Sequence, residues 1–233
     1  MNKDFKVNID KKALLKVLRR VKPLIPEIRI CFNDDGIHVR EVDYGHVCMY
    51  DATILKKFSL NKDVVFCVDV EKFETVLSLV KSNNVTLEFD GKLVVDKNYK
   101  IGLLEMPKEN ELKIPNLEFD VEVTLDSLQR IKRIISTNVN DYLTLQVDKN
   151  KTCWVDFKSD EVEIHEPLSK AQMLSKEVNY PVTAMYSIDY FKNIIHDLDT
   201  AILRFSTDVP IQVVEEKDNE KHLFLLAPRI DNI

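Results

Sequence analysis

The chain says nearly the same thing twice, and a repeat on this scale dictates a molecule of two similar halves. Asp69-Val70-Glu71-Lys72-Phe73 opens a stretch that runs through Val76, Leu77 and Val80 to Val85-Thr86-Leu87-Glu88-Phe89. Ser187-Ile188-Asp189-Tyr190-Phe191 opens another, through Ile194, Ile195 and Leu198 to Ala201-Ile202-Leu203-Arg204-Phe205. The offset is roughly 116 to 118 residues, half of the 233-residue chain. A second pair precedes these: Phe5 to Ile9 leads into a helix-like Asp10 to Val21, and Phe119 to Val123 leads into a helix-like Asp126 to Ile135. Each half therefore reads strand, helix, strands, helix, strands.

Helical periodicity predicts four short helices, over about 10–22, 70–81, 125–136 and 187–198. Everywhere else the pattern is that of strands joined by hairpins. Ile28 to Phe32 and Ile37 to Val42 alternate with period two around Asp35-Gly36. With only four glycines, the other tight turns rely on Asn and Asp, as in Asp96-Lys97-Asn98, Asp148-Lys149-Asn150 and Lys217-Asp218-Asn219. The predicted class is α+β: two similar domains of antiparallel β-sheets with two helices each. The domains are expected at 1–105 and 119–233. Between them, 106–118 holds Pro107 and Pro115 among charged residues and reads as an extended connector. Its Leu112, Ile114 and Leu117 suit packing onto their own domain, or walling a surface groove.

The net charge is −6, yet the helices carry basic faces. On the first helix Leu14, Val17, Leu18 and Val21 share one side, with Lys12, Lys16 and Arg19 opposite and Arg20 at the edge. On the third, Leu128, Ile131 and Ile135 face inward while Arg130 and Arg133 point away; the fourth adds Lys192. One such face is ordinary solvated surface. Recurrence at repeat-equivalent places instead suits a phosphate backbone gripped without base reading. The second helix dilutes the pattern with Glu71 and Glu74.

Catalysis finds no support. His38, His46, His165, His196 and His222 show no HExxH spacing, no nucleophile set stands out and no glycine-rich phosphate loop exists. Cys31, Cys48, Cys67 and Cys153 form no CxxC pair, so no metal, cofactor or disulfide framework is expected. No apolar run approaches a membrane span or signal peptide, so an intracellular setting is expected, cytoplasmic in a prokaryote and nuclear or viral-factory otherwise.

Four segments, in order, resemble the sliding clamps of the PCNA family, of archaeal or related viral type. They are Asp35-Gly36-Ile37 with Val42-Asp43-Tyr44-Gly45-His46-Val47, then Ile114-Pro115-Asn116-Leu117-Glu118-Phe119, Asp208-Val209-Pro210-Ile211, and the terminal Leu226-Ala227-Pro228-Arg229-Ile230. The resemblance implies a polymerase processivity factor that encircles duplex DNA as a closed trimer, helices lining the hole and sheets outside. It implies partners too: polymerase, clamp loader, ligase and nucleases, each docking a PCNA-interacting peptide. Carried over residue by residue, the peptide groove would be built from Val42, His46, Val47, Leu112, Ile114, Pro115, Phe119, Pro210, Leu225, Ala227 and Pro228. Leu225 stands where an aromatic is common, and Val42 is smaller than in some members. Subunits would join by edge strands, with Lys100, Leu103 and Glu105 on one side and Glu161, Glu163 and His165 on the other. A heterotrimeric or checkpoint-type subunit, or a monomeric viral processivity factor, would share the fold.

Overall fold

The computed structural model describes residues 5–106, 112–136, 141–158 and 163–230. The chain divides into two compact units, Met1–Lys113 with Glu216–His222, and Ile114–Glu215 with Leu223–Ile233.

In the first unit the order is β1 (Lys6–Asp10), α1 (Lys11–Val21), β2 (Glu27–Asn33), β3 (Gly36–Val42), β4 (Cys48–Leu55), β5 (Val64–Asp69), α2 (Val70–Leu79), β6 (Asn84–Phe89), β7 (Leu93–Val95) and β8 (Tyr99–Ile101). Two sheet groups result, β1-β6-β7-β8 and β5-β2-β3-β4, with every listed pairing antiparallel. Alternation along β1 buries Val7 and Ile9 and leaves Lys6, Asn8 and Asp10 exposed, as a half-buried strand requires. Phe5, Phe32 and Phe66 meet edge to face with centroids 4.9–5.9 Å apart, forming an aromatic centre to this core. The β2–β3 turn is held by Asn33, whose Oδ1 accepts from the amides of Asp35 (3.0 Å) and Gly36 (2.9 Å). Gly36 has φ +154°, and a Cβ there would stand 2.1 Å from the Ile54 carbonyl oxygen, so the turn excludes any side chain.

The second unit runs β9 (Val121–Leu125), α3 (Gln129–Ser136), β10 (Tyr142–Val147), β11 (Thr152–Lys158), β12 (Glu163–Met173), β13 (Val182–Ser187), α4 (Ile188–Ile195), β14 (Ala201–Phe205), β15 (Ile211–Lys217) and β16 (Glu220–Leu226), the last hairpin reaching into 216–222 at its turn. Its strands order as β13-β10-β11-β12 and β9-β14-β15-β16, and β12 joins β9 through Ala171 to Met173. The topology of the first unit is thus repeated strand for strand.

The helix starts repeat as well. Lys11 N donates to Asn83 O (2.8 Å), and Leu128 N, just before α3, donates to Asp199 O (3.0 Å). Val70 N donates to Pro26 O (2.9 Å) and Ile188 N to Asp141 O (3.0 Å). Each helix is anchored by one backbone bond to the residue or two before a neighbouring strand. The α+β expectation of antiparallel sheets and four helices is met. Two boundaries differ. The third helix starts at Gln129 rather than 125, because Leu125 ends strand β9 and helical bonding begins only with Lys132 N to Leu128 O. The strand expected over 100–104 is Tyr99–Ile101, after which the chain bends so that Leu104 N bonds Cys67 O at 3.0 Å.

Candidate functional site

Helix α1 is the most basic element. Asp10 caps it, accepting from Lys12 N at 2.7 Å, and its first turn holds no acidic residue. Ala13, Leu14, Leu15, Val17, Leu18 and Val21 are buried, whereas Lys12 and Arg19 are exposed. Two expected members of the basic face behave differently. Lys16 is half-buried, its ammonium 3.1 Å from Glu220. Arg20 is only 1 % exposed and is corrected from the outer face to the interior; its place beside Val17 and Val21 on the wheel turns it toward the core side. Glu74 of α2 takes up Arg19 (3.2 Å) and Lys22 (3.0 Å), so the dilution expected from that helix is real.

On α3, Ile131 and Ile135 are buried and Arg130 and Arg133 are exposed, with Arg130 paired to Glu166 of β12. Lys192 on α4 is exposed. Lys132, which the outer-face reading passed over, donates to the carbonyls of Leu198 (2.6 Å) and His196 (3.0 Å). It thereby satisfies acceptors at the end of α4 with a cation, the favourable charge for a helix C-terminus.

The loop after β3 is built around Asp43, which is 5 % exposed. Its carboxylate accepts from the amides of Gly45 (3.1 Å), Val47 (2.8 Å) and Cys48 (2.7 Å). That forces a tight turn, with His46 at φ +54°, exposed, and Val42 and Val47 half-buried beside it. Leu112 is half-buried, and its carbonyl accepts from Arg40 at 3.2 Å.

In the second unit Ile114, Phe119 and Pro210 are half-buried and Pro115 is exposed. Leu225 is 5 % exposed within β16, so it supports a surface from beneath rather than presenting one. Ala227 and Pro228 follow, half-buried, and Arg229 pins this tail: its amide donates to Met185 O (2.7 Å) and its guanidinium lies 5.1 Å over the Tyr142 ring.

Of the expected edge residues, Lys100 lies in β8, the last strand of its sheet group, and Leu103 and Glu105 follow it. Glu163 and His165 are exposed on β12; Glu161 falls outside the described residues. From Glu163 to Lys170, β12 pairs with β11, and it meets β9 only from Ala171. Its first half therefore offers a second edge to which, among the described residues, no strand is bonded. Pro167 lies opposite Trp154, where the β11 register shifts, a place a strand tolerates proline. Trp154 stacks on His165 at 4.1 Å and 9°, its Nε1 donating to Asp148 at 3.1 Å, while His165 contacts Asp156.

A buried polar group fixes the tip of the last hairpin within the first unit. His222 Nδ1 lies 2.9 Å from the Tyr50 hydroxyl, and His222 Nε2 lies 3.5 Å from Glu220. These partners assign the imidazole proton to Nε2, with Tyr50 donating to Nδ1. Burial first, then the nearby Arg20 and Lys16 charges, hold the His222 pKa below its ordinary 6.5 against the pull of Glu220. The His222 contact and then Lys16 hold Glu220 down to about 2, against an ordinary 4.5.

Between its folded pKa and 6.5 the unfolded chain alone binds the His222 proton, so stability falls as pH drops below about 6.5. Loss through Glu220 sets in only as pH falls below about 4.5. Calorimetric melting between pH 7.5 and 5.5 is expected to show this decline, and His222→Gln to flatten it; an equal slope in both proteins would contradict the assignment.

No family model matches the chain. It is 25 % identical to DNA polymerase sliding clamp 1 of Thermococcus kodakarensis, over 94 % of this chain and 96 % of that protein. To the DNA polymerase sliding clamp of Nanoarchaeum equitans it is 26 % identical, over 95 % and 98 %. Its fold matches a solved structure of A. fulgidus PCNA bound to the C-terminal region of FEN-1, with TM-score 0.80 and 23 % identity over 98 % of this chain and 99 % of that one. The resemblance to archaeal-type PCNA clamps read from four short segments is borne out along the whole chain.

Proposed function

We propose that this chain is a DNA sliding clamp of the PCNA family, a processivity factor that encircles duplex DNA and tethers replication and repair enzymes by their peptide motifs. The observation that carries this reading is likeness to clamps over 94–98 % of the chain in both sequence and fold. The chain acts as a scaffold rather than an enzyme: it holds DNA topologically and lends that grip to catalysts bound to it. A duplex-DNA ligand places it inside the cell or in the compartment where its DNA is copied.

DNA is held by exposed cations of the helices. Lys12, Arg19, Arg130, Arg133 and Lys192 are solvent-facing and offer charge without base-reading geometry, which suits sliding. Lys16 and Arg20 serve the fold instead. Partner peptides dock on a groove to which Val42, His46, Val47 and Leu112 contribute from one unit and Ile114, Pro115, Phe119, Pro210, Ala227 and Pro228 from the other, with Leu225 beneath. The A. fulgidus relative binds a C-terminal segment of a partner, and a short motif of that kind is the ligand expected here. Subunits self-associate through the β8 and β12 edges.

Primer extension on circular DNA with the cognate loader and polymerase tests the reading. Lys12→Glu, Arg133→Glu and Lys192→Glu together are expected to shorten products at least tenfold at 150 mM salt. The salt slope of DNA binding should also drop by about one unit per lost phosphate contact. Parental processivity in this triple variant would remove the helices from the DNA surface.

A further inference from the structure

A cleft of about 440 Å³ opens on the first unit, away from the exposed helix cations. It is lined by Ile25, Glu27, Arg29, Glu41, Val42, Tyr44, Cys67, Glu105 and Met106. Three carboxylates thus face one guanidinium. Arg29 is committed to Glu41, with Nε 2.8 Å from Oε1 and Nη2 3.1 Å from Oε2, and the Arg29 amide adds a third bond of 2.8 Å. That bidentate pair satisfies both its members. Glu27 and Glu105 are exposed and leave the cleft negative. The thiol of Cys67 senses the same field: burial raises its pKa first, and Glu41 and Glu27 raise it further against Arg29.

The cleft is also apolar where a side-chain stem would lie. Ile25 and Cys67 are buried, Val42 is half-buried, and Tyr44 and Met106 stand 79 % and 44 % exposed. Two large apolar side chains held in water beside two carboxylates suit a lysine or arginine, whose methylenes prefer apolar surface while the head group seeks an anion. The Tyr44 ring is a further site for a cation. Val42 belongs both to this cleft and to the proposed peptide groove, so a chain leaving that groove reaches the cleft without a break.

We propose that the cleft between Tyr44, Glu27, Glu105 and Met106 is an accessory subsite that takes a Lys- or Arg-bearing segment flanking the partner's clamp-binding motif. It rests on the peptide-groove reading and adds a charge preference to it. The subsite selects among partners by the sequence next to the motif, not by the motif itself.

Fluorescence anisotropy on the full-length protein tests this with a core PCNA-interacting peptide and versions extended at either end by Lys-Arg-Lys or by Gly-Ser-Gly. One basic extension is expected to bind about five- to tenfold tighter than its Gly-Ser counterpart at 50 mM salt, the gain of two or three partly exposed charge contacts. Glu27→Gln with Glu105→Gln should erase that gain and leave core-peptide affinity unchanged. Glu177→Gln with Glu216→Gln, which removes as much negative charge elsewhere, should preserve it. An equal loss in both double variants would assign the gain to net charge and overturn the subsite, as would equal affinity for basic and neutral extensions. A core peptide that fails to bind would overturn the groove reading itself, and the subsite with it.

Discussion

Proline in the first half of β12 is expected to yield folded monomers that no longer stimulate polymerase. This is the largest effect foreseen for any single substitution, because a basic channel holds DNA at physiological salt only when it is closed. Residues Glu163 to Lys170 are bonded to β11 on one side, and β8 ends its own sheet group. Unpaired edges of this kind invite a partner strand. Joining β8 of one subunit to β12 of the next is a head-to-tail contact, which closes into a ring when the rotation per subunit fits.

Successive amides of an antiparallel strand alternate between its two edges. Of Ile164→Pro and His165→Pro, one therefore removes a donor aimed at β11 and the other a donor aimed outward. The outward one should leave the β11 ladder, the circular dichroism spectrum and the melting temperature close to parental. Light scattering at about 20 μM should then report a trimer for the parent and a monomer for that variant. Each lost intersubunit bond also unseats its neighbours, since the edge is short. A parent that stays monomeric at low salt without a sister subunit would exclude self-trimerisation and favour the heterotrimer or the monomeric factor.

Much of this architecture was legible because it is repeated and amphipathic. Helices and hairpins could be placed from periodicity and from Asn- and Asp-rich turns, and the two halves aligned by Phe73 with Phe191 and Phe89 with Phe205. What escaped depends on contacts remote in sequence. Arg20 looks like a fourth surface cation on a helical wheel, and only packing against the rest of the unit shows it to be interior. Lys16 looks free until the hairpin carrying Glu220 is brought beside it, 204 positions later in the sequence. Asp43 stood in plain view inside the motif but reads as an ordinary loop acid. Its three amide acceptances are a property of the folded turn, although an Asp followed by Gly and two residues of rising hydrophobicity was the available hint. Lys132 sat between two exposed arginines and gave no signal of its own, because its acceptors belong to the end of another helix.

Truncating two groove residues at once should abolish partner binding while sparing the fold, the second large effect. Ile114 and Pro228 are both half-buried and lie outside regular strands, Ile114 before β9 and Pro228 beyond β16. Neither belongs to the buried apolar core. A docked aliphatic or aromatic side chain would draw its affinity from a few such apolar anchors, on the order of 2 kcal/mol or more each. Two of them correspond to a factor of about a thousand in Kd if independent, and at least a hundred if partly redundant. Isothermal titration of the Ile114→Ala, Pro228→Ala double variant with a PCNA-interacting peptide should thus lose measurable heat, with the melting temperature shifted by no more than a few degrees. The tail should keep its path because Arg229 still bonds Met185 and still covers Tyr142. Leu225→Ala supplies the contrast. That side chain is 5 % exposed, so its removal opens a cavity and costs about 2–5 kcal/mol of stability before it touches binding. If the double variant binds within about twofold of the parent, the groove lies elsewhere on the chain; if it melts like Leu225→Ala, the two residues are structural and the pocket must be drawn from the loop of Val42, His46 and Val47 instead.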